Sequence, residues 1–315
     1  MSPADERVAP DLAAVDAELQ RMARPDGGNA GQGLWLMALS AGLFVSAQQV
    51  FGGGQPWVFV GLLVAVLVLH ELGHLAAMRA FGFRDLRMFF IPLFGAAAAG
   101  KKPDATGTQR AVVALAGPLP GIALGLALLF GVGPTALGEV GAMFTALLLF
   151  VNFVNLAPLL PFDGGHLVNI LLFSRWPVVE LWFRLATAGL LGWWAYTRGS
   201  VVVGVLAAFM LLGASWQERV ARLGRSMRAQ VPAPRPTALL ATAPAFRAAA
   251  IWETVRTMQL NPYAPRAARV IASCMSRGWE RALDSSPGLA ASLALLGLYA
   301  AVLAGGFLLW RTLAV

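Results

Sequence analysis

Apolar residues along this 315-residue chain come in long blocks separated by short polar joints. The blocks run from about Gly33 to Phe51, Trp57 to Phe81, Arg110 to Gly131, Val140 to Leu156, Pro177 to Tyr196, Val201 to Trp216 and Leu289 to Trp310. Each is near the ~20 residues an α-helix needs to cross ~30 Å of hydrocarbon, although the sixth is short. The pattern predicts a membrane all-α fold, a polytopic helical bundle of about six to seven transmembrane helices.

One stretch breaks the pattern. Met88 to Pro103 reads M-F-F-I-P-L-F-G-A-A-A-A-G-K-K-P, where Pro92 and Pro103 bar a continuous helix and Gly95 and Gly100 suit turns or bent strands. Apolar backbone of this kind survives near a bilayer only where protein or a watery cavity satisfies its polar groups. A short re-entrant β-hairpin is therefore expected here.

The flanks are polar. Residues 1–32 form a leader with one amphipathic helix expected around Asp11 to Met22 and a Gly/Asn-rich break at Asp26 to Gly33. The leader lacks the basic region and small-residue cleavage site of a secretory signal, so the first apolar block is expected to stay as a helix. Residues 33–216 make the transmembrane core. Residues 217–288 follow as a basic cytoplasmic segment, with Pro232, Pro234, Pro236 and Pro244 marking an extended linker. Helical stretches are expected near Phe246 to Met258 and Pro265 to Leu283. This tail reads as a surface-solvating or lipid-hugging appendage whose partner the sequence does not name. Residues 289–315 complete the chain with a C-terminal transmembrane helix.

Composition agrees: 58% of residues are hydrophobic and 13% charged, against roughly 25% charged in ordinary soluble domains. The net charge of +8 does not point to nucleic acid, because the basic residues form no free-standing domain interleaved with base-stacking aromatics. They follow membrane topology instead. Arg79, Arg84, Arg87, Lys101, Lys102 and Arg110 cluster between the second and third blocks, while the joints Gly52 to Gln55 and Val132 to Glu139 carry no Lys or Arg. By the positive-inside rule the Arg79 to Arg110 loop is cytoplasmic. The expected location is a multi-pass protein of the bacterial cytoplasmic membrane with its active site toward the cytoplasm. Arg311 lies on the wrong side in this scheme. The single cysteine, Cys274, falls in the predicted cytoplasmic segment and excludes an internal disulfide.

All three histidines lie in two motifs, His70 and His74 in H-E-L-G-H and His166 in P-F-D-G-G-H. In H-E-x-x-H on a helix the two imidazoles stand one turn apart on one face and can hold a single Zn²⁺. Glu71 is then the general base that takes a proton from water and passes it to the leaving amine. A catalytic zinc normally takes three protein ligands. Asp163 is the best candidate for the third, at the same expected depth as the histidines, with Gly164 and Gly165 expected to let the backbone turn and approach the metal closely. Two alternatives stand beside it: Asp163 caps the following helix, or His166 is the ligand. His166 otherwise reads as a group that orients a ligand or stabilises an oxyanion. Asn152 and Asn155, at i and i+3 on one helical face, are candidates for holding substrate backbone or polarising its carbonyl, or for gluing helices. Gly95, in the hairpin, joins them as a tentative substrate-side residue. Gly117, Pro118 and Gly121 read as helix packing and a kink.

At this point the chain resembles the site-2 protease family of intramembrane zinc metalloproteases. The resemblance rests on H-E-L-G-H at His70 to His74, N-L-A-P-L-L-P-F-D-G-G at Asn155 to Gly165, and A-G-P at Ala116 to Pro118. It implies that His70, His74 and Asp163 bind one zinc, that Glu71 is catalytic, and that Asn155 lies near the substrate. It also implies cleavage of transmembrane segments of single-span proteins close to the cytoplasmic face, in regulated intramembrane proteolysis. Gly121 stands where many relatives have Asn, and no segment looks like a PDZ domain or a CBS pair. A homo-oligomer is compatible with this reading. The rival is a non-proteolytic metal-binding protein or metal-ion transporter, which needs further polar ligands along a path across the membrane.

Overall fold

The computed structural model describes residues 11–23, 38–42, 45–46, 56–91, 95–174 and 176–313. In chain order the elements are α1 (Leu12–Ala23), α2 (Trp57–Ala80), β1 (Arg84–Ile91), β2 (Gly95–Lys101), α3 (Gly107–Ala116) and α4 (Pro118–Ala127). There follow α5 (Pro134–Asn155), α6 (Asp163–Val168), α7 (Pro177–Arg198), α8 (Val201–Gln230), α9 (Pro244–Met258), α10 (Ala267–Leu283) and α11 (Leu289–Leu313). Wider π-type turns extend α4 through Leu128–Val132 and α6 through Asn169–Phe173.

Five helical stretches among the described residues are long and apolar enough to cross a membrane: Trp57–Ala80, Gly107–Val132, Ala136–Asn155, Val201–Gln230 and Leu289–Arg311. This is an integral membrane protein. The first expected span, Gly33 to Phe51, lies largely outside the described residues. The fifth, Pro177 to Tyr196, forms as α7 but is not among the five, since Glu180 and Arg184 interrupt its apolar run.

By their contacts the residues form two compact units. One comprises Gly28–Phe183 and Ser286–Val315. Its core is built where α3, α4 and α6 meet α11, around the buried Leu115, Ile122, Leu156, Leu167, Leu171 and Tyr299. Further along α2, Val66 packs with Leu147 and Leu148 of α5. The kink between α3 and α4 falls at Gly117–Pro118, where proline at the first helical position fits a new start but not a continuing helix. Thr106 opens α3 with a capping box, its hydroxyl accepting from the Gln109 N–H while the Gln109 side chain accepts from the Thr106 N–H.

The hairpin forms, and begins earlier than its Pro/Gly pattern predicts. Strands β1 and β2 pair antiparallel, with Met88 opposite Ala98 and Ile91 opposite Gly95. The first strand reaches back to Arg84, with a register shift between Arg84 and Arg87 and Asp85 in the left-handed region at φ 52°. Proline and glycine mark where strands bend; the alternation of exposed and covered positions in R-D-L-R-M-F-F-I is what extends this one. Gly95 has φ 119°, which suits glycine where the chain enters β2.

The second unit comprises Met1–Gly27 and Arg184–Ser285. Here the structure departs from the expected appendage. The amphipathic helix of the leader, α1, packs with α8, α9 and α10 around Val15, Leu223, Met227, Ile271, Met275 and Trp279, all buried. The segment expected as a linker contributes Leu239 to that core, through a short 3₁₀ turn at Leu239–Ala241. Gly224 and Gly278 let α8 and α10 come close, since a Cβ on Gly278 would press on Leu223. Cys274 is buried in this core, and burial raises its thiol pKa above the ordinary value. The basic residues hide this core from a composition-based reading: most arginines, Arg247 excepted, occupy the outer faces while the inner faces are mainly apolar.

The leader is fastened by charge as well. Arg247 Nε and Nη2 donate to the two Asp16 carboxylate oxygens at 2.9 and 2.7 Å, and its Nη1 donates to the Leu240 and Thr242 carbonyls. Asp16→Ala strands a largely buried guanidinium, so thermal unfolding of the full-length protein should show this unit destabilised by about 2 kcal/mol or more. An unchanged transition would mean that the pair is energetically neutral.

Candidate metal centre

Helix α2 sets the first part of the site. His70, Glu71 and His74 are all buried on it. The His74 Nδ1 faces the Val113 carbonyl oxygen at 2.7 Å, and the His70 Nδ1 faces Asn152 Oδ1 at 2.8 Å. Asn152 is itself oriented, because its Nδ2 donates to the Leu148 carbonyl at 2.7 Å. Its oxygen must therefore accept from His70. In both rings the network assigns the hydrogen to Nδ1 and leaves the neutral Nε2 with a bare lone pair.

Those two lone pairs converge. The Nε2 atoms of His70 and His74 lie 3.1 Å apart, and Asp163 Oδ2 stands 2.9 Å from the first and 3.3 Å from the second. Asp163 Oδ2 is buried and has no hydrogen-bond donor among the described residues. Three electron-rich atoms facing one another at these distances repel unless a proton or a metal cation lies among them. Two imidazole nitrogens and one carboxylate oxygen suit zinc, with a fourth position left open. Among the described residues His70, His74 and Asp163 are the one group of this kind.

Backbone approach holds the parts together. A Cβ on Gly73, the glycine inside H-E-L-G-H, would collide with the Ala116 carbonyl, so α2 lies directly against the end of α3. A Cβ on Gly117 would land on the His74 ring and within 2.9 Å of His70 Nε2. Gly117 therefore walls the imidazoles, a closer part in the site than helix packing. Gly121 presses on Asn152 in the same way.

Asp163 arrives from the other side. It is the first residue of α6, whose start makes no side-chain capping bond, so the helix-cap alternative finds no support in its contacts. The preceding loop folds back over α6: a Cβ on Gly164 would strike the Leu156 and Ala157 carbonyls, and one on Gly165 the backbone of Leu159. The two glycines of D-G-G thus admit the loop above them.

Of the other predicted site residues, Asn152 and Glu71 adjoin this group. His166 is exposed on α6 and outside the three-atom group. Asn152 is fully buried against His70, while Asn155 is half-buried and donates to the Val151 carbonyl at 3.0 Å. Gly95 is the first residue of β2, paired with Ile91. Glu71 lies beside the metal group with its Oε2 lacking a partner among the described residues, and β2 presents the Ala98 backbone N–H to this carboxylate. Three contributors escape sequence reasoning: the Val113 carbonyl, the Ala98 amide and the steric role of Gly117. Backbone groups carry no residue signature, and only the A-G-P motif marked that place.

The fold and site define a membrane-embedded domain with a buried two-histidine, one-aspartate group suited to a metal ion. Residues 58–142 match the model of peptidase family M50. A Synechocystis protein named as a zinc metalloprotease is 34% identical over 154 residues, covering 45% of this chain and 39% of that protein. Stage IV sporulation protein FB of Bacillus subtilis is 29% identical over 165 residues, 49% of this chain and 55% of that one. A zinc metalloprotease of Methanocaldococcus jannaschii is 26% identical over 172 residues, 52% and 50% respectively. The chain thus spans about half the length of the relatives it matches. The solved site-2 protease from M. jannaschii superposes with a TM-score of 0.43 at 20% identity, covering 57% of this chain and 88% of that one.

Gly164→Ala should displace the loop and move Asp163 off the imidazoles. Elemental analysis of the purified variant should give zinc binding weaker by roughly tenfold or more, with helix content retained. Zinc at the wild-type level would show that the loop yields without cost.

Proposed function

We propose that this protein is a zinc metalloendopeptidase that cleaves membrane-embedded segments of single-span proteins, near the cytoplasmic face of a bacterial membrane. The observation that carries the reading is the convergence of His70, His74 and Asp163 beside the buried carboxylate of Glu71. Three protein ligands at one fixed position favour catalysis over transport, which needs a succession of sites.

A zinc ion held by these three residues supplies Lewis acidity at the site. The rest falls to the chain. Glu71 takes a proton from water as its oxygen bonds to the scissile carbonyl carbon, then delivers that proton to the amide nitrogen as the C–N bond breaks. Asn152 holds His70 in the tautomer that leaves Nε2 free to ligate, so its role is positioning. Asn155, at the half-buried end of α5, is the residue assigned to the substrate side.

The hairpin is assigned to substrate capture. The Phe90 N–H on the outer edge of β1 already donates to Ser40 Oγ at 3.0 Å. The outer edge of β2 faces Glu71 through Ala98. An extended substrate segment paired along β2 is therefore delivered to the carboxylate, as strand addition at a sheet edge.

Two experiments test this. Wild type and Glu71→Gln, purified in parallel, should bind equal zinc, while cleavage of a single-span substrate should fall by about 10²–10⁴-fold in the variant. Equal turnover in both would remove Glu71 from the mechanism. Gly95→Pro removes the N–H and the positive φ at the start of β2; cleavage should be lost with zinc still bound, and concomitant loss of zinc would count against a capture role.

A further inference from the structure

We propose that Tyr299, on the C-terminal helix α11, is a positioning residue for the metal centre. It acts on Asp163 through the loop that precedes it, and the inference rests on the zinc reading above.

Tyr299 is buried, and its hydroxyl donates to the Leu156 carbonyl at 2.6 Å. Leu156 is the C-cap of α5 and begins the loop leading to Asp163. The same carbonyl is one of the groups that a Cβ on Gly164 would strike. It is therefore held between the phenol on one side and the residue following Asp163 on the other. The series runs Tyr299 hydroxyl, Leu156 carbonyl, Gly164 backbone, Asp163 carboxylate, each in contact with or bonded to the next.

The setting gives that bond leverage. A phenol in an apolar helix needs a partner, and a carbonyl beyond the last helical turn lacks its intrahelical donor. In a membrane interior neither finds water, so each satisfies the other. The helix is seated by Tyr299, Leu295, Leu296, Val302 and Leu303 against the apolar cluster that contains Leu156, Leu167 and Leu171. Gly306 admits the Phe153 ring two turns further along. The support of Asp163 thus includes a helix of the C-terminal segment.

The test uses the full-length protein in detergent, loaded with cobalt(II) as a spectroscopic stand-in for zinc. Tyr299→Phe removes one oxygen and keeps the ring. The visible ligand-field bands should change in position or intensity, and metal should leave to a chelator about five- to tenfold faster than from wild type. Leu296→Ala, a packing change on the same helix, should lower thermal stability and leave the spectrum as in wild type. An unaltered spectrum and release rate in Tyr299→Phe would overturn the proposal, as would an equal spectral change in Leu296→Ala. Wild type that binds no cobalt at all would instead overturn the metal reading beneath it.

Discussion

The constraint on which the site depends is electrostatic. Two imidazole lone pairs and a carboxylate oxygen are brought within 3.3 Å of one another by groups that leave them no alternative partner. In water such a cluster would be relieved by solvent. Between apolar helices the effective dielectric is low, and repulsion among electron-rich atoms is correspondingly strong. The fold spends packing energy to hold this arrangement, and a divalent cation converts the cost into binding. The outward hydrogen bonds of the rings, to Asn152 and to the Val113 carbonyl, fix the orientation and the tautomer that make this possible.

That electrostatic arrangement is reached through backbone contact. Gly73, Gly117, Gly164 and Gly165 each stand where a single methyl group would meet a carbonyl or a ligand ring. Close approach of backbones is a common way for helices to associate in lipid, where apolar side chains gain little by leaving one apolar medium for another. Here the same contacts that pack the helices bring three ligands from α2 and α6 together. Stability and metal geometry are therefore coupled at these positions.

Much of this was legible in the residues themselves. The apolar blocks announce the helices because lipid admits few other structures, and H-E-L-G-H brings two imidazoles together because helical periodicity places them on one face. D-G-G announced a tight approach, though the surface approached is the loop at Leu156 and Leu159. What escaped was of two kinds. Contributions from backbone, such as the Val113 carbonyl, have no residue type to betray them. The packed unit formed by α1 with α8, α9 and α10 escaped because its arginines dominate composition, while its core residues are separated by more than two hundred positions in sequence. Arg247 and Asp16 look like ordinary surface charges until the fold brings them together.

On the proposed function, the hairpin addresses a problem that any intramembrane peptidase faces. A helical substrate keeps each carbonyl in an internal hydrogen bond, and unwinding a stretch in lipid exposes backbone groups at several kcal/mol apiece. A strand edge offers replacement partners at the moment of unwinding, so the exposed groups need never be unpaired. The small side chains of G-A-A-A-A-G on β2 keep that edge open to close approach, and Ser40 occupies the opposite edge at Phe90. Under the proposed function one strand links cleavage and capture: the groups that would pair with substrate lie on the same edge that presents Ala98 to Glu71. In such a scheme the energetic barrier to unwinding, more than the recognition of side chains, sets which membrane segments are cut.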